Sequence, residues 1–233
     1  MNSNFDRMRR LFVLFCALAC CTALYAQKSD WAQYSRYEAA NEELSFAPVA
    51  VFMGNSITDG WYRQHPAFFE ENRYLGRGIS GQVTSQMLCR FRNDVIELKP
   101  QCVVILAGIN DIAKNNGDIT LENTFRNFVS MCELAKVNGI EVVLCSTLPC
   151  DRIAWRPEVE PAGLVRQLNA MLRDYAKKNG LVYVDYHGAL TNETGGLSEE
   201  LSADGCHPTM KCYARMEELV KEGIGKVLEK RRK

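Results

Sequence analysis

The sequence predicts an α/β protein: one domain built as a three-layer α/β/α sandwich around a five-stranded parallel sheet. Three observations carry this expectation. Five short apolar or β-branched runs recur, at 48–53, 74–79, 102–107, 141–146 and 181–186. Longer stretches with apolar residues at helical spacing lie between or after them, at 83–98, 121–137, 163–178 and 208–230. The strand runs are close to continuously hydrophobic, as in Val103-Val104-Ile105-Leu106, and strands of that kind need cover on both faces. Strand, helix, strand in repetition implies crossover connections, so the strands run parallel and the helices supply the cover.

Taken from the N-terminus, residues 1–26 read as a cleaved secretory leader. Arg7, Arg9 and Arg10 precede an apolar run at 11–21, and small residues including Ala23 and Ala26 follow, which is the order of such a signal. The run is too short to span a membrane comfortably. Cleavage after Ala26 leaves residues 27–233 as the mature domain, with 27–46 a helical lead-in; a cut after Ala23 also fits. The chain is therefore expected to be exported to the periplasm or beyond, with a form lipid-anchored near Cys20 as the lesser alternative.

The run at 48–53 opens the sheet, and the turn Gly54-Asn55-Ser56-Ile57-Thr58-Asp59-Gly60 leads from it towards a helix near Trp61. Ser80-Gly81-Gln82 ends the second strand, and Gly108-Ile109-Asn110-Asp111 ends the third. Asn138-Gly139 and Asn179-Gly180 stop the two middle helices, each placing Gly where a left-handed cap is required. Pro208 sits where the first turn of the last helix is expected. Residues 45–233 contain no Pro/Gly/Ser-rich linker and no internal repeat, hence one domain.

Composition excludes several classes of function. Hydrophobic residues make up 47% and charged residues 24%, so the chain is neither disordered nor of low complexity. Lys+Arg and Asp+Glu both total 28, which leaves no global field to hold a phosphate backbone or an anionic membrane. Removing the leader's three Arg and one Asp leaves 25 basic and 27 acidic residues, and the conclusion stands. Seven Cys remain after the leader: Cys89, Cys102, Cys132, Cys145, Cys150, Cys206 and Cys212. Several lie in apolar runs, where buried free thiols are expected. Cys206, His207 and Cys212 match no common zinc spacing, so no metal is expected.

In an open parallel sheet, ligands collect beyond the carboxyl ends of the strands, so reactive groups are sought in the turns just named and in Asp204-Gly205-Cys206-His207. A Ser hydroxyl becomes a nucleophile when a base takes its proton and a carboxylate fixes that base. Ser56, His207 and Asp204 supply these parts. Gly81 offers an unobstructed backbone N–H and Asn110 a side-chain amide, which with the Ser56 N–H would make a three-donor oxyanion hole. Each also has a purely structural role open to it. Ser56 and Asp204 suit helix caps, Gly81 eases a turn, and Asn110 and Asp111 suit an Asx-type turn. Their joint placement at one sheet edge points to chemistry instead. Among the three His, His65 has no carboxylate in register, while His187, two residues after Asp185, competes with His207 as the base.

The set Gly54-Asn55-Ser56, Gly81 within Gly78-Ile79-Ser80-Gly81, Gly108-x-Asn110-Asp111 and Asp204-x-x-His207 resembles the four sequence blocks of the SGNH hydrolases, or GDSL-type esterases. The resemblance runs from residue 54 to 208. It implies a flavodoxin-like sheet, Ser56 as nucleophile, Gly81 and Asn110 in the oxyanion hole, and Asp204 and His207 completing the triad, so it selects His207 over His187. Asn55 stands where the family has Asp, which puts local loop hydrogen bonding in question. The Gly-x-Ser-x-Gly elbow of the α/β-hydrolases is absent.

The implied reaction is acyl transfer through an acyl-enzyme, with no cofactor. The family acts on short-chain esters, lysophospholipids, thioesters and acetylated sugars. Export, near-neutral charge and no apolar lid favour small acyl groups, with acetyl on a carbohydrate as the leading substrate and Trp61, Tyr62 and Trp155 as stacking faces. A lysophospholipase or thioesterase activity is the alternative. A non-catalytic carbohydrate-binding module is a weaker one, because no triad residue is missing.

Overall fold

The computed structural model describes residues 30–232, so the expected leader lies outside the described residues. The chain divides into two units, Met1–Trp31 and Ala32–Lys233. Only Asp30 and Trp31 of the first are described; the fold is that of the second.

A 3-10 turn at Tyr34–Arg36 and helix α1, Glu38–Glu42, precede the sheet. The chain then runs β1 (Ala50–Gly54), α2 (Ser56–Gln64), α3 (Pro66–Glu70), β2 (Tyr74–Gly78) and α4 (Thr84–Phe91), the last continuing into a π turn at Arg92–Ile96. There follow β3 (Cys102–Leu106), α5 (Ile109–Ile112), α6 (Leu121–Val137), β4 (Glu141–Cys145), α7 (Pro161–Asn179), β5 (Val182–Val184), α8 (Tyr186–Leu190) and α9 (Met210–Arg231).

All five strands are parallel, in the order β2-β1-β3-β4-β5. This is the flavodoxin-like arrangement, in which the winding reverses between β1 and β3. Register makes that reversal useful. Gly54 lies opposite both Gly78 and Leu106, so three strands end at one level and their turns open side by side.

Side chains alternate along each strand between two cores. Val51, Met53, Val103, Ile105, Val142 and Leu144 pack with Met87, Phe91, Phe128, Met131, Leu168 and Leu172 from α4, α6 and α7. Ala50, Phe52, Cys102, Val104, Val143 and Cys145 pack with Trp61, Phe68, Phe69, Tyr213, Met216 and Val220 from α2, α3 and α9. Each large apolar side chain buried this way contributes about 1.5–3 kcal/mol. Two-sided burial is therefore the reason the strands read as unbroken hydrophobic runs.

Among the boundaries that differ from the sequence reading, three involve candidate site residues. The fifth strand stops at Val184 because Asp185 caps α8, its exposed carboxylate accepting the Gly188 N–H at 2.9 Å. The last helix begins at Met210, capped by Thr209, so neither Asp204 nor Pro208 opens it. Helix α2 begins at Ser56 itself.

β2 brings its glycines against α2. A Cβ at Gly78 would lie 2.2 Å from the Asp59 backbone nitrogen and 2.7 Å from the Asn55 carbonyl oxygen. Neither backbone atom can yield without moving the turn that carries Ser56. Gly78→Ala is expected to destabilise the protein by about 1–3 kcal/mol through overpacking. A urea titration followed by circular dichroism checks this; an unchanged midpoint would show that α2 does not depend on the close approach.

Candidate active site

Helix α2 starts directly at the end of β1, so Ser56 occupies its first turn, where unsatisfied N–H groups and the helix dipole favour negative charge. Ser56 Oγ lies 3.0 Å from His207 Nε2. On the far side of the same ring, His207 Nδ1 lies 2.7 Å from Asp204 Oδ2. The first and last of these residues are 151 positions apart in the chain, and the sheet edge brings them together.

The turn at Asp204 holds itself rigid. Asp204 Oδ1 accepts the backbone N–H of Cys206 at 2.9 Å, that of His207 at 2.7 Å and the Ser202 hydroxyl at 3.1 Å. One carboxylate thus orients both the backbone and the imidazole of His207. Partial burial works to raise the Asp204 pKa, but the hydrogen bonds from His207 and Cys206 outweigh it and bring the group down to about 2.

Gly81 has φ +81° with open space around it, so glycine serves here to permit a left-handed backbone and not to relieve crowding. Asn110 sits in α5, buried, and donates one amide hydrogen to the Gln82 carbonyl at 2.9 Å. Its neighbour Asp111 accepts the Thr84 N–H and hydroxyl, capping α4. Burial pushes the Asp111 carboxyl up to about 6, against the opposing pull of the Thr84 hydrogen bonds. Behind the loop, the fully buried Arg90 reaches Gln82 Oε1 at 2.6 Å, the Gly54 carbonyl at 3.0 Å and Asp94 Oδ2 at 2.8 Å. One guanidinium therefore ties the end of β1 to the loop against which Asn110 leans.

These residues open onto a cleft of about 480 Å³ that Ser56, Gly81, Asn110 and His207 line together. Asp204 stands behind His207. Trp155 forms one wall, its ring 5.8 Å from that of His207 and its indole N–H donating to Asn115 Oδ1 at 2.9 Å. Arg63, Gln64, Ser80 and Tyr213 complete most of the rest.

Several sequence expectations are corrected here. Trp61 does not face the cleft: it is buried, stacked between Phe68 and Tyr213. Tyr62 is exposed but outside the cleft, leaving Trp155 as the aromatic of the original three that lines it. His65 has a carboxylate partner after all, Glu217 at 2.7 Å, from 152 residues away. His187 lies on α8, its backbone N–H bonded to the Ser146 hydroxyl, and takes no part in the cleft. Both side-chain amide atoms of Asn55 are buried without a protein hydrogen-bond partner. Arg63, Gln64, Asn115 and Tyr213 also line the cleft, and no local sequence pattern marks them.

A doubly wound parallel sheet with a cleft across its strand ends, at the reversal of winding, is an open α/β architecture with its site where such folds bind ligands. The family model for the GDSL-like lipase/acylhydrolase family matches residues 52–215, and the chain belongs to that family, within the SGNH hydrolase superfamily. It is a carboxylic ester hydrolase. It is similar to the crystal structure of a GDSL-like lipase from Bacteroides thetaiotaomicron, with 46% identity and a TM-score of 0.82 over 84% of this chain and 99% of that one. It is 26% identical to the esterase TesA of Pseudomonas aeruginosa over 74% of this chain and 81% of that protein. A shorter stretch, 32% of each chain, is 31% identical to the uncharacterized lipoprotein YqeF of Bacillus subtilis.

The depressed Asp204 pKa carries a consequence for stability. Because the folded value of about 2 lies below the ordinary 3.8, this carboxylate stabilises the fold above pH about 4, and its contribution disappears as pH falls towards 2. Urea midpoints measured between pH 2 and 5 should therefore fall with acid less steeply in Asp204→Asn than in the wild type; parallel curves would rule the linkage out.

Proposed function

We propose that the enzyme is a serine esterase that removes small acyl groups, acetyl foremost, from carbohydrate esters. The observation that carries the catalytic reading is the 3.0 Å approach of Ser56 Oγ to His207 Nε2, with Asp204 2.7 Å from the opposite ring nitrogen. In this reading His207 Nε2 takes the Ser56 proton as Oγ attacks the ester carbonyl. Asp204 keeps the other ring proton on Nδ1 and stabilises the imidazolium. The oxyanion is bound by the Ser56 and Gly81 backbone N–H groups and by the Asn110 amide hydrogen not given to Gln82. His207 then passes its proton to the departing alcohol, and a water that it deprotonates releases the acyl group from Ser56.

Cleft chemistry supports a small acyl group. Its exposed aromatic surface comes from Trp155, Tyr213 being almost fully buried, while Arg63, Gln64, Ser80, Asn110 and Asn115 bring polar groups. That lining offers little to cover a long hydrocarbon chain but suits a hydroxyl-rich alcohol, with Trp155, 40% exposed, as a stacking face. We read the site of action as outside the cytoplasm, after removal of the leader at 1–26 from a 27–233 domain. Among the described residues no helix is long and apolar enough to cross a membrane.

Ser56→Ala should lower kcat by about 10⁴-fold or more while leaving the circular dichroism spectrum unchanged; turnover surviving in that variant would overturn the nucleophile assignment. On p-nitrophenyl esters of increasing acyl length, kcat/KM should fall beyond the shortest chains, and acetylated xylo-oligosaccharides should release acetate. A preference for C8 or longer acyl groups, or for lysophospholipid, would replace the carbohydrate reading.

A further inference from the structure

Two of the seven thiols beyond the leader meet beside the catalytic turn. Cys206 lies between Gly205 and His207, and its backbone N–H bonds to Asp204. Cys150 belongs to the loop joining β4 to α7, which also carries Trp155, and its thiol rests 3.1 Å from the Arg152 carbonyl. Both side chains are buried, at 1% and 3% exposure, in the same core; the loops that carry them touch, since a Cβ at Gly205 would lie 2.9 Å from Arg152 Cγ, and the Cys150 thiol nearby pushes the Cys206 pKa up. The other buried thiols are placed differently. Cys102, Cys145 and Cys212 lie in the opposite core, and Cys132, in the same core, stands on helix α6 and not on a strand-end loop.

We infer that Cys150 and Cys206 form a disulfide that staples the Asp204–His207 turn to the loop bearing Trp155. Joined, they close a covalent ring around the segment between the two loops and fix two walls of the cleft relative to each other. Either thiolate can attack first, and the exchange is the same with Cys150 leading.

The oxidant is a disulfide. The Cys150 thiolate attacks one of its sulfurs, forming a mixed disulfide and expelling the first thiol. Cys206 then gives up its proton and attacks Cys150 Sγ, expelling the second thiol. Two protein thiols are oxidised to one cystine, and one external disulfide is reduced to two thiols. Because the pair is buried, the exchange takes place during folding, before the core closes over it.

The test is to refold the full chain in a buffer of oxidised and reduced glutathione, block free thiols with iodoacetamide under denaturing conditions, and digest with trypsin. The expected product is a covalent pair of peptides, one containing Cys150 and the other Cys206, that separates on reduction and is absent from Cys150→Ser. The oxidised wild type should melt roughly 10 °C above protein refolded with reductant throughout, a difference that Cys150→Ser lacks. Alkylation of both Cys150 and Cys206 in the oxidised wild type would overturn the inference, and that measurement stands even if the variant does not fold. Persistence of the linked peptides in Cys150→Ser would overturn it too, because the first peptide also contains Cys145.

Discussion

Burial of the sheet on both faces is the constraint on which the rest of this molecule depends. Once helices cover each side, the interior has no place for a polar reaction, and the chain's reactive groups can meet only where the strands end. The register sharpens this, because Gly54, Gly78 and Leu106 finish level with one another. Turns separated by long stretches of sequence then face a common space. The two apolar cores thus do more than stabilise: they select the location of the chemistry.

Behind that location stands a second, polar layer. Arg90 spans from the Gly54 carbonyl to Gln82, and the Gln82 carbonyl receives Asn110. A fully buried guanidinium would be costly alone, but here Asp94 shares its charge and each remaining contact is a hydrogen bond. The arrangement couples the loop after β1 to the loops after β2 and β3, and of its members Asn110 also lines the cleft. Asp204 does the equivalent for the final loop, spending one oxygen on backbone amides and the other on the ring.

Most of the fold was legible because two-sided burial writes itself into consecutive residues, as in the run from Val103 to Leu106. Parallelism followed from the alternation with helices, and the flavodoxin-like strand order from the resemblance of the four motif blocks. Where the reading failed, the deciding interaction was either a cap or a contact across a large span of chain. Asp185 looks like the end of a strand until its bond to the Gly188 N–H is seen. His65 looks isolated because Glu217 arrives from α9, and Trp61 looks available for stacking until Phe68 and Tyr213 close on it. The candidate site was more legible than such contacts, since Ser56, Gly81, Asn110, Asp204 and His207 each stand in a short motif at a strand end. Arg63, Asn115 and Arg90 lie outside those motifs, and no periodicity marks a residue whose role is to line a wall or brace a loop.

The placement of Trp155 has one more implication. Its indole ring lies 5.8 Å from the His207 imidazole and inclined to it by 33°. An excited indole donates an electron readily to an adjacent imidazolium and far less to a neutral imidazole, so light emitted by this side chain dims when its neighbour is cationic. Trp61, sealed in the interior, and the exposed Trp31 supply the background against which that change is read. The protein therefore carries an intrinsic optical gauge of the charge at its centre, readable without dye or label.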